Sequence, residues 1–298
     1  MNDQRPGLPQ TAPRQKGLSA VLISGWLLAA VLHSGAVTAS RLRVVRASPG
    51  LVWRALDADQ AVGAVSAFLF PNDRWFLHFD DCRVDSYEPL LAAVAANTGR
   101  DLYATVEDTD EQALETHGGL GFTVNRRESN LVIPTDPQIT GLQVTAEPDD
   151  VIVISAADAD EDQLRLLDEA LRQDVPGSEG WKWDPGDFHE ETFDSQFDPA
   201  TYLVAVDVDS GEYIGLVRVW NNPGRPRLGL IAVLPPFRRR GLARVLLARA
   251  FRVAHERGKA ELTAEVDDTN SASRALLLGL GARRESGIVE LVRRQLAR

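Results

Sequence analysis

Apolar positions along the second half of the chain fall into two rhythms. Val151 to Ser155 is a short β-branched run that predicts a buried strand. Leu164, Leu166, Leu167, Ala170 and Leu171 recur at helical spacing and predict an amphipathic helix over 161–173. Tyr202 to Asp207 and Tyr213 to Trp220, joined through Asp209-Ser210-Gly211, read as a hairpin. Arg227 to Val233 is another apolar run, closed by Pro235 and Pro236, and suits a buried strand. Leu246, Leu247, Ala250 and Ala254 then share one helical face opposite Arg249, Arg252 and Glu256, and Gly258 sits where that helix should stop. A strand from Ala260 to Asp267 and a helix through Leu276 and Leu277 complete the series.

The joint between strand and helix, Val233 to Ala243, carries the chemistry. A tight turn entering a helix leaves its first backbone N–H groups unpaired at the positive end of the helix dipole, which makes a socket for phosphate. Gly241 allows close backbone approach, Ala243 leaves room inside the first turn, and Arg238, Arg239 and Arg240 add positive charge. A capped, solvated turn is the plainer reading of the same residues.

Val-x-Pro-x-x-Arg-x-x-Gly-x-Ala, here Val233, Pro235, Arg238, Gly241 and Ala243, resembles the acetyl-CoA pyrophosphate loop of the GCN5-related N-acetyltransferase (GNAT) superfamily. The following strand, Asn270, the helix through Leu277 and Leu280-Gly281 arrive in the order that family shows, and the resemblance covers about 150–296. It implies transfer of an acetyl group from acetyl-CoA to an amine. By position, Ile231, Ala232 and Val233 inherit contacts to the thioester and pantetheine arm. Arg238, Arg239, Arg240, Gly241, Leu242 and Ala243 inherit the pyrophosphate, and Asn270 inherits a helix cap together with a cofactor contact. The tyrosine that many members use as general acid is replaced by Leu277, leaving solvent, Ser273 or no dedicated acid for the thiolate. Glu265, on one face of its strand, is the candidate general base, against a solvated or paired carboxylate.

Sliding the chain against itself reveals a repeat. Leu102, Ala104, Val106, Asp108, Thr109, Gly119, Leu120 and Gly121 fall at one constant offset on Leu262, Ala264, Val266, Asp268, Thr269, Gly279, Leu280 and Gly281. The chain therefore reads as α/β in the mixed α+β sense. It has two tandem acyl-CoA N-acyltransferase domains, each a mixed, mostly antiparallel twisted sheet flanked by helices. The divisions are an apolar extension or first helices over 1–40, a degenerate first copy over 41–133, a Pro/Gly-punctuated linker over 134–150, and a catalytic copy over 151–298. Degeneracy is read from Phe79-Asp80-Asp81-Cys82-Arg83-Val84-Asp85, where acids without a glycine stand in place of the pyrophosphate loop and would repel an anion. Full repeats require residues before about Val52 to supply the opening helices of the first copy.

Gly17 to Ser40 carries no charged residue. An apolar helix packed on the first domain, a signal peptide ending near Val37-Thr38-Ala39 and a short membrane anchor all fit it. An acetyl-CoA enzyme draws on the cytoplasmic pool, which favours the packed helix and a cytoplasmic protein. Net charge −11 excludes broad nucleic-acid binding and suits a cationic acceptor, a small-molecule or protein amine. A single cysteine, Cys82, excludes an intrachain disulfide and reads as a small buried or half-buried side chain. The five histidines are scattered without metal spacing, so no metal is expected. His117 holds the first copy's tyrosine position and reads as packing or surface, and His189 lies near the expected acceptor wall. That wall is Trp181, Trp183 and Phe188, with Asp187, Glu190 or Glu191 to hold an ammonium group. The alternative is aromatic anchors with carboxylates in solvent. Other readings of the whole chain are a non-catalytic acyl-CoA sensor and a tandem acetyltransferase resembling mycothiol synthase.

Overall fold

The computed structural model describes residues 42–47, 51–143 and 147–295. The apolar segment 18–32 and His33 lie outside them. The first half runs β1 (Arg43–Ala47), β2 (Val52–Asp57), β3 (Gln60–Leu69), β4 (Trp75–Asp80), α1 (Tyr87–Thr98), β5 (Leu102–Glu107), α2 (Glu111–Gly119) and β6 (Thr123–Pro134). A short helix α3 (Pro137–Thr140), started by Asp136 accepting from the Gln138 amide, lies inside the stretch expected to be an irregular linker. The second half repeats the order: β7 (Val151–Ser155), α4 (Glu161–Arg172), α5 (Pro185–Thr192), β8 (Tyr202–Asp207), β9 (Tyr213–Trp220), β10 (Arg227–Val233), α6 (Leu242–Glu256), β11 (Glu261–Asp267), α7 (Ser271–Leu278) and β12 (Arg283–Arg293). No helix among the described residues is long and apolar enough to cross a membrane.

The twelve strands of the described residues form one sheet, in the order β1-β2-β3-β4-β5-β12-β6-β11-β10-β9-β8-β7. The two halves are joined by reciprocal exchange of their last strands. β12 pairs antiparallel with β5, from Arg293↔Leu102 to Ile288↔Glu107. β6 pairs antiparallel with β11, from Glu261↔Pro134 to Asp267↔Glu128. β6 and β12 also pair with each other at the centre. Within each half, therefore, the fifth and sixth strands are not neighbours, because a strand of the other half lies between them.

Period-2 burial places a core on one face of the first half, where Trp53, Ala55, Val65, Ala67 and Leu77 meet Leu90, Leu91 and Val94 of α1. The second half has two cores. α6 and α7 cover one face through Leu246, Leu247, Ala250, Phe251 and Leu277, and α4 and α5 cover the other through Leu164, Leu167, Leu171 and Phe188. Among the described residues the first half has no counterpart of α4 and α5. In the second half they occupy the long connection between β7 and β8, whereas β1 and β2 are joined across residues 48–51. The residues before β1 that were expected to supply opening helices of the first copy, 18–32 among them, lie outside the described residues. The face that no described helix covers carries polar residues. By sheet register Arg54, His78 and Asp80 stand where the second half has Val204, Leu230 and Ala232, and all three are exposed.

A buried polar cluster fastens the halves together at the centre. Glu290 on β12 is 1% exposed and accepts from Arg126 Nε at 2.8 Å, from Asn125 Nδ2 at 2.6 Å and from Arg74 Nη2. Arg74 lies over the Tyr103 ring at 4.0 Å and donates to the Gly177 carbonyl at 2.9 Å. Removing one member of such a cluster leaves its partners buried and unpaired. Glu290→Ala is expected to cost about 3–5 kcal/mol, read as a lowered urea midpoint. Asp209→Ala, on an exposed turn, is expected to leave the midpoint unmoved.

Candidate functional site

The site begins at an irregularity in β10. The register with β9 shifts between Leu228 and Leu230, and this bulge leaves Gly229 beside Trp220. A Cβ on Gly229 would lie 1.9 Å from the Trp220 ring, so only glycine fits. β10 and β11 are parallel and pair only at Arg227↔Thr263 and Leu228↔Ala264. Beyond that point they diverge, and the edge of β10 carrying Ile231, Ala232 and Val233 faces β11 without a strand partner. The resulting cleft is lined by Ile231, Val266, Asp267, Asn270, Ser273 and Glu128 among others.

Above the cleft the chain makes a 3-10 turn at Pro235–Phe237 and enters α6 through two left-handed residues, Arg239 (φ 67°) and Gly241 (φ 85°). α6 has no side-chain cap. Among the described residues no acceptor is present for the backbone N–H groups of Arg239, Arg240, Gly241, Leu242 and Ala243. These free amides lie at the positive end of a fifteen-residue helix, an arrangement that suits an anion. Leu242 is buried under it and Ala243 packs against the core.

The arginines divide their work. Arg238 donates from Nε to the Val233 carbonyl at 2.8 Å and from Nη2 to Asp174 at 2.5 Å, clamping the loop to its strand and to the end of α4. Arg240 pairs with Asp150. Two of the three cations read as ligand contacts are thus engaged by carboxylates of the protein, and the exposed Arg239 is the one without such a partner among the described residues.

Asn270 caps α7, its Oδ1 accepting from the Ser273 amide at 3.1 Å, and lies on the cleft wall as its sequence position implied. Leu277 is 1% exposed, and no tyrosine, histidine or cysteine lines the cleft. Glu265 also lines it, but its carboxylate is held by Arg227 Nη2 at 2.5 Å, and Arg227 is stacked on Trp220 at 4.7 Å. The Glu265 carboxylate is thus engaged by a guanidinium of the neighbouring strand.

The expected aromatic wall is elsewhere. Phe188 is fully buried in the α4/α5 core, and Trp183 packs on it while donating from Nε1 to Asp168 at 2.7 Å. Trp181 sits between Arg172 and Phe70 of the first half. These are anchors of the 173–183 loop, and Val175 and Pro176 of that loop form the wall. Asp187, Glu190 and Glu191 are not among the lining residues, and His189 pairs with Glu161 at 3.0 Å on the exposed side of α5. The first half holds the loop in place, since Asn72 and Arg74 donate to the Gly177 carbonyl and the Pro71 carbonyl accepts from the Lys182 amide.

Glu128 was not singled out from the sequence. It is the β6 residue opposite Asp267, supplied by the first half through the strand exchange, and it faces the cleft. Burial pushes its carboxyl up, against the pull of Arg126 beside it, with Glu265 and Glu290 adding to the rise. The alternation Arg126, Glu128, Asn130 ahead of the apolar Leu131 to Ile133 was the available signal, polar side chains at period two on a strand otherwise built for a core.

In the first half aromatic rings gather at the corresponding place. β4 and β5 also pair only at Trp75↔Leu102 and Phe76↔Tyr103, but β4 has no bulge. Phe79, in register with Ile231, meets the rings of Tyr87 and His117 at 5.1 and 5.8 Å, and His117 packs on Phe122 at 5.4 Å. His117 is therefore packing. The loop before α1 is tied down through the Arg83 amide on the Val62 carbonyl, Arg83 on Asp57 and Asp85, and Cys82 Sγ donating to the Ala64 carbonyl. Cys82 is half-buried, and burial raises its thiol.

Comparison with known proteins bears on the fold. Residues 165–282 match the acetyltransferase (GNAT) family. No curated protein sequence matches the chain. Among solved structures it is similar to a GCN5-related N-acetyltransferase from Sphaerobacter thermophilus (17% identity, TM-score 0.62, covering 83% of this chain and 82% of that one). It is similar also to a tandem GNAT protein from the clavulanic acid biosynthesis pathway (15% identity, TM-score 0.59, 83% of each chain). A third is the GCN5-related N-acetyltransferase from Kribbella flavida (17% identity, TM-score 0.50, 85% and 89%). At these identities the likeness is one of fold, a tandem GNAT architecture.

Proposed function

We propose, from the premise that residues 165–282 form a domain of the acetyltransferase (GNAT) family, that the chain transfers the acetyl group of acetyl-CoA to an amine through its second half. One observation carries this reading: an amide socket at the start of α6 stands directly above the slot where β10 and β11 part. A diphosphate suits the socket and an extended arm suits the slot. The bound thioester supplies an activated acetyl group. The chain's own part is to grip the diphosphate with the amides of Arg239 to Ala243, aided by Arg239, and to offer the free edge of Ile231 to Val233 to the arm. Val175 and Pro176 narrow the acceptor side. The acceptor must be deprotonated before it attacks, and Ser273 or solvent protonates the leaving thiolate.

The engagement of Glu265 by Arg227 and the leucine at 277 also suit a binder without turnover. Calorimetry with acetyl-CoA, coupled to release of free thiol in the presence of an amino sugar, a diamine, an amino-acid amide and a peptide with a free amino terminus, separates the readings. We expect one acetyl-CoA site per chain and amine-dependent thiol release. Binding without release with any amine would leave the sensor, and absence of binding would remove both readings.

A further inference from the structure

The charged groups around the acceptor side of the cleft do not balance. Arg227 serves Glu265 alone. Glu128, Asp267 and Glu290 share Arg126, whose Nη1 reaches Glu128 and, at 3.5 Å, Asp267, and whose Nε reaches Glu290 at 2.8 Å. Arg74 adds a second cation, on Glu290. Three carboxylates thus face two guanidinium groups in a partly buried cluster, so one of the acids is short of a cation.

The hydrogen bonds decide which acid. Glu290 accepts from Arg74, Arg126 and Asn125. Asp267 accepts from the Thr269 amide at 2.7 Å and from the Thr269 hydroxyl. Glu128 has Arg126 alone, and it is the carboxylate that burial raises. The other groups facing it are Asn130 on its own strand, Glu265 and Asp267 on β11, and Glu290 on β12, while Val175 and Pro176 opposite are uncharged.

We infer that Glu128, brought into the second half's cleft on the strand the first half contributes, is the general base that accepts a proton from the acceptor ammonium. The inference rests on the transferase reading above. In the step, the ammonium gives one proton to a Glu128 carboxylate oxygen, and the freed nitrogen lone pair forms the C–N bond to the acetyl carbon. The C–S bond breaks with its electron pair on sulfur. The second nitrogen proton passes through Ser273 or solvent to the thiolate, and Glu128 returns its own proton to solvent. On this account the degenerate half is part of the catalytic centre: it supplies the residue its partner half lacks.

The test uses the full chain, acetyl-CoA and the best amine of the panel above. Glu128→Gln is expected to lower kcat/KM by about 10²–10⁴-fold and to abolish its decline on the acid side. Acetyl-CoA affinity measured by calorimetry is expected to stay within about twofold, since the diphosphate grip is assigned to the amides of residues 239–243 and not to Glu128. Glu128→Asp keeps the acid-side decline at reduced kcat. An unchanged kcat/KM in Glu128→Gln, with acetyl-CoA binding intact, overturns the role of Glu128 and leaves the transferase reading standing, whereas failure of the wild-type chain to bind acetyl-CoA counts against that reading itself. A readout free of turnover is the ¹³C carboxyl titration of labelled glutamate, with the Glu128 signal identified by its loss in Glu128→Asp. A midpoint above the ordinary glutamate value of about 4.3 supports the inference, and one at or below it overturns it.

Discussion

Gly241→Glu is expected to abolish acetyl-CoA binding while the protein stays folded. Gly241 has φ 85°, a conformation that costs an L-residue about 1–2 kcal/mol, and a Cβ there would meet nothing within 4 Å. The new side chain has space, so the fold should survive with a small loss in melting temperature. Its carboxylate, however, stands at the mouth of the socket and offers the free amides an internal anion. Charge-assisted hydrogen bonds of about 1.5–3 kcal/mol each are then denied to the ligand, and two of them correspond to at least a hundredfold in Kd. Gly241→Ala carries the same strain without the charge and should lose far less. Calorimetry on the two variants checks the claim, and a Gly241→Glu protein that binds as the wild type does would show that the diphosphate sits elsewhere.

Expressing the two halves separately is expected to leave both unfolded. Residues 42–143 without β12 have a gap between β5 and β6, and residues 147–298 without β6 have the same gap between β11 and β12. Each half would also expose one side of the buried cluster of Arg74, Arg126 and Glu290. Circular dichroism of each half alone should show no cooperative transition, while co-expressed halves should purify as a one-to-one complex that binds acetyl-CoA. A second half that binds acetyl-CoA alone with wild-type affinity would mean that the exchanged strand is dispensable to the site.

Local features of this molecule were legible in the sequence. The strand Arg227–Val233, the hairpin Tyr202–Asp207 with Tyr213–Trp220, the helix ending before Gly258 and the repeat all coincide with the observed elements, because each is fixed by periodicity, turn residues or simple identity. What escaped was non-local. Period-2 alternation marks β6 and β12 as strands but says nothing about which strand each will lie beside, so the exchange was invisible, and with it the arrival of Glu128 at the cleft. Asp150 and Asp174 gave no sign that they would engage Arg240 and Arg238, since chain distance hides such pairs. Trp183 and Phe188 looked like a pocket because aromatic residues on a loop do; only the packing of α5 on α4 decides that they are core. The shortness of the β1–β2 connection, set against the long β7–β8 one, could be measured only once β1 itself was located.

The reciprocal exchange of β6 and β12 also governs how the chain reaches its native state. β5 is made early in synthesis and must wait, with a bare edge, for a neighbour that follows it by most of the second half. Contacts of such long sequence separation close slowly, and an uncovered strand edge is a template for the wrong partner. During that interval nascent chains on a single messenger each present the same open edge, and one chain's β12 can fill another's gap as well as its own. The architecture thus makes linked dimers the natural misassembly of this protein, favoured by crowded translation and suppressed by dilution.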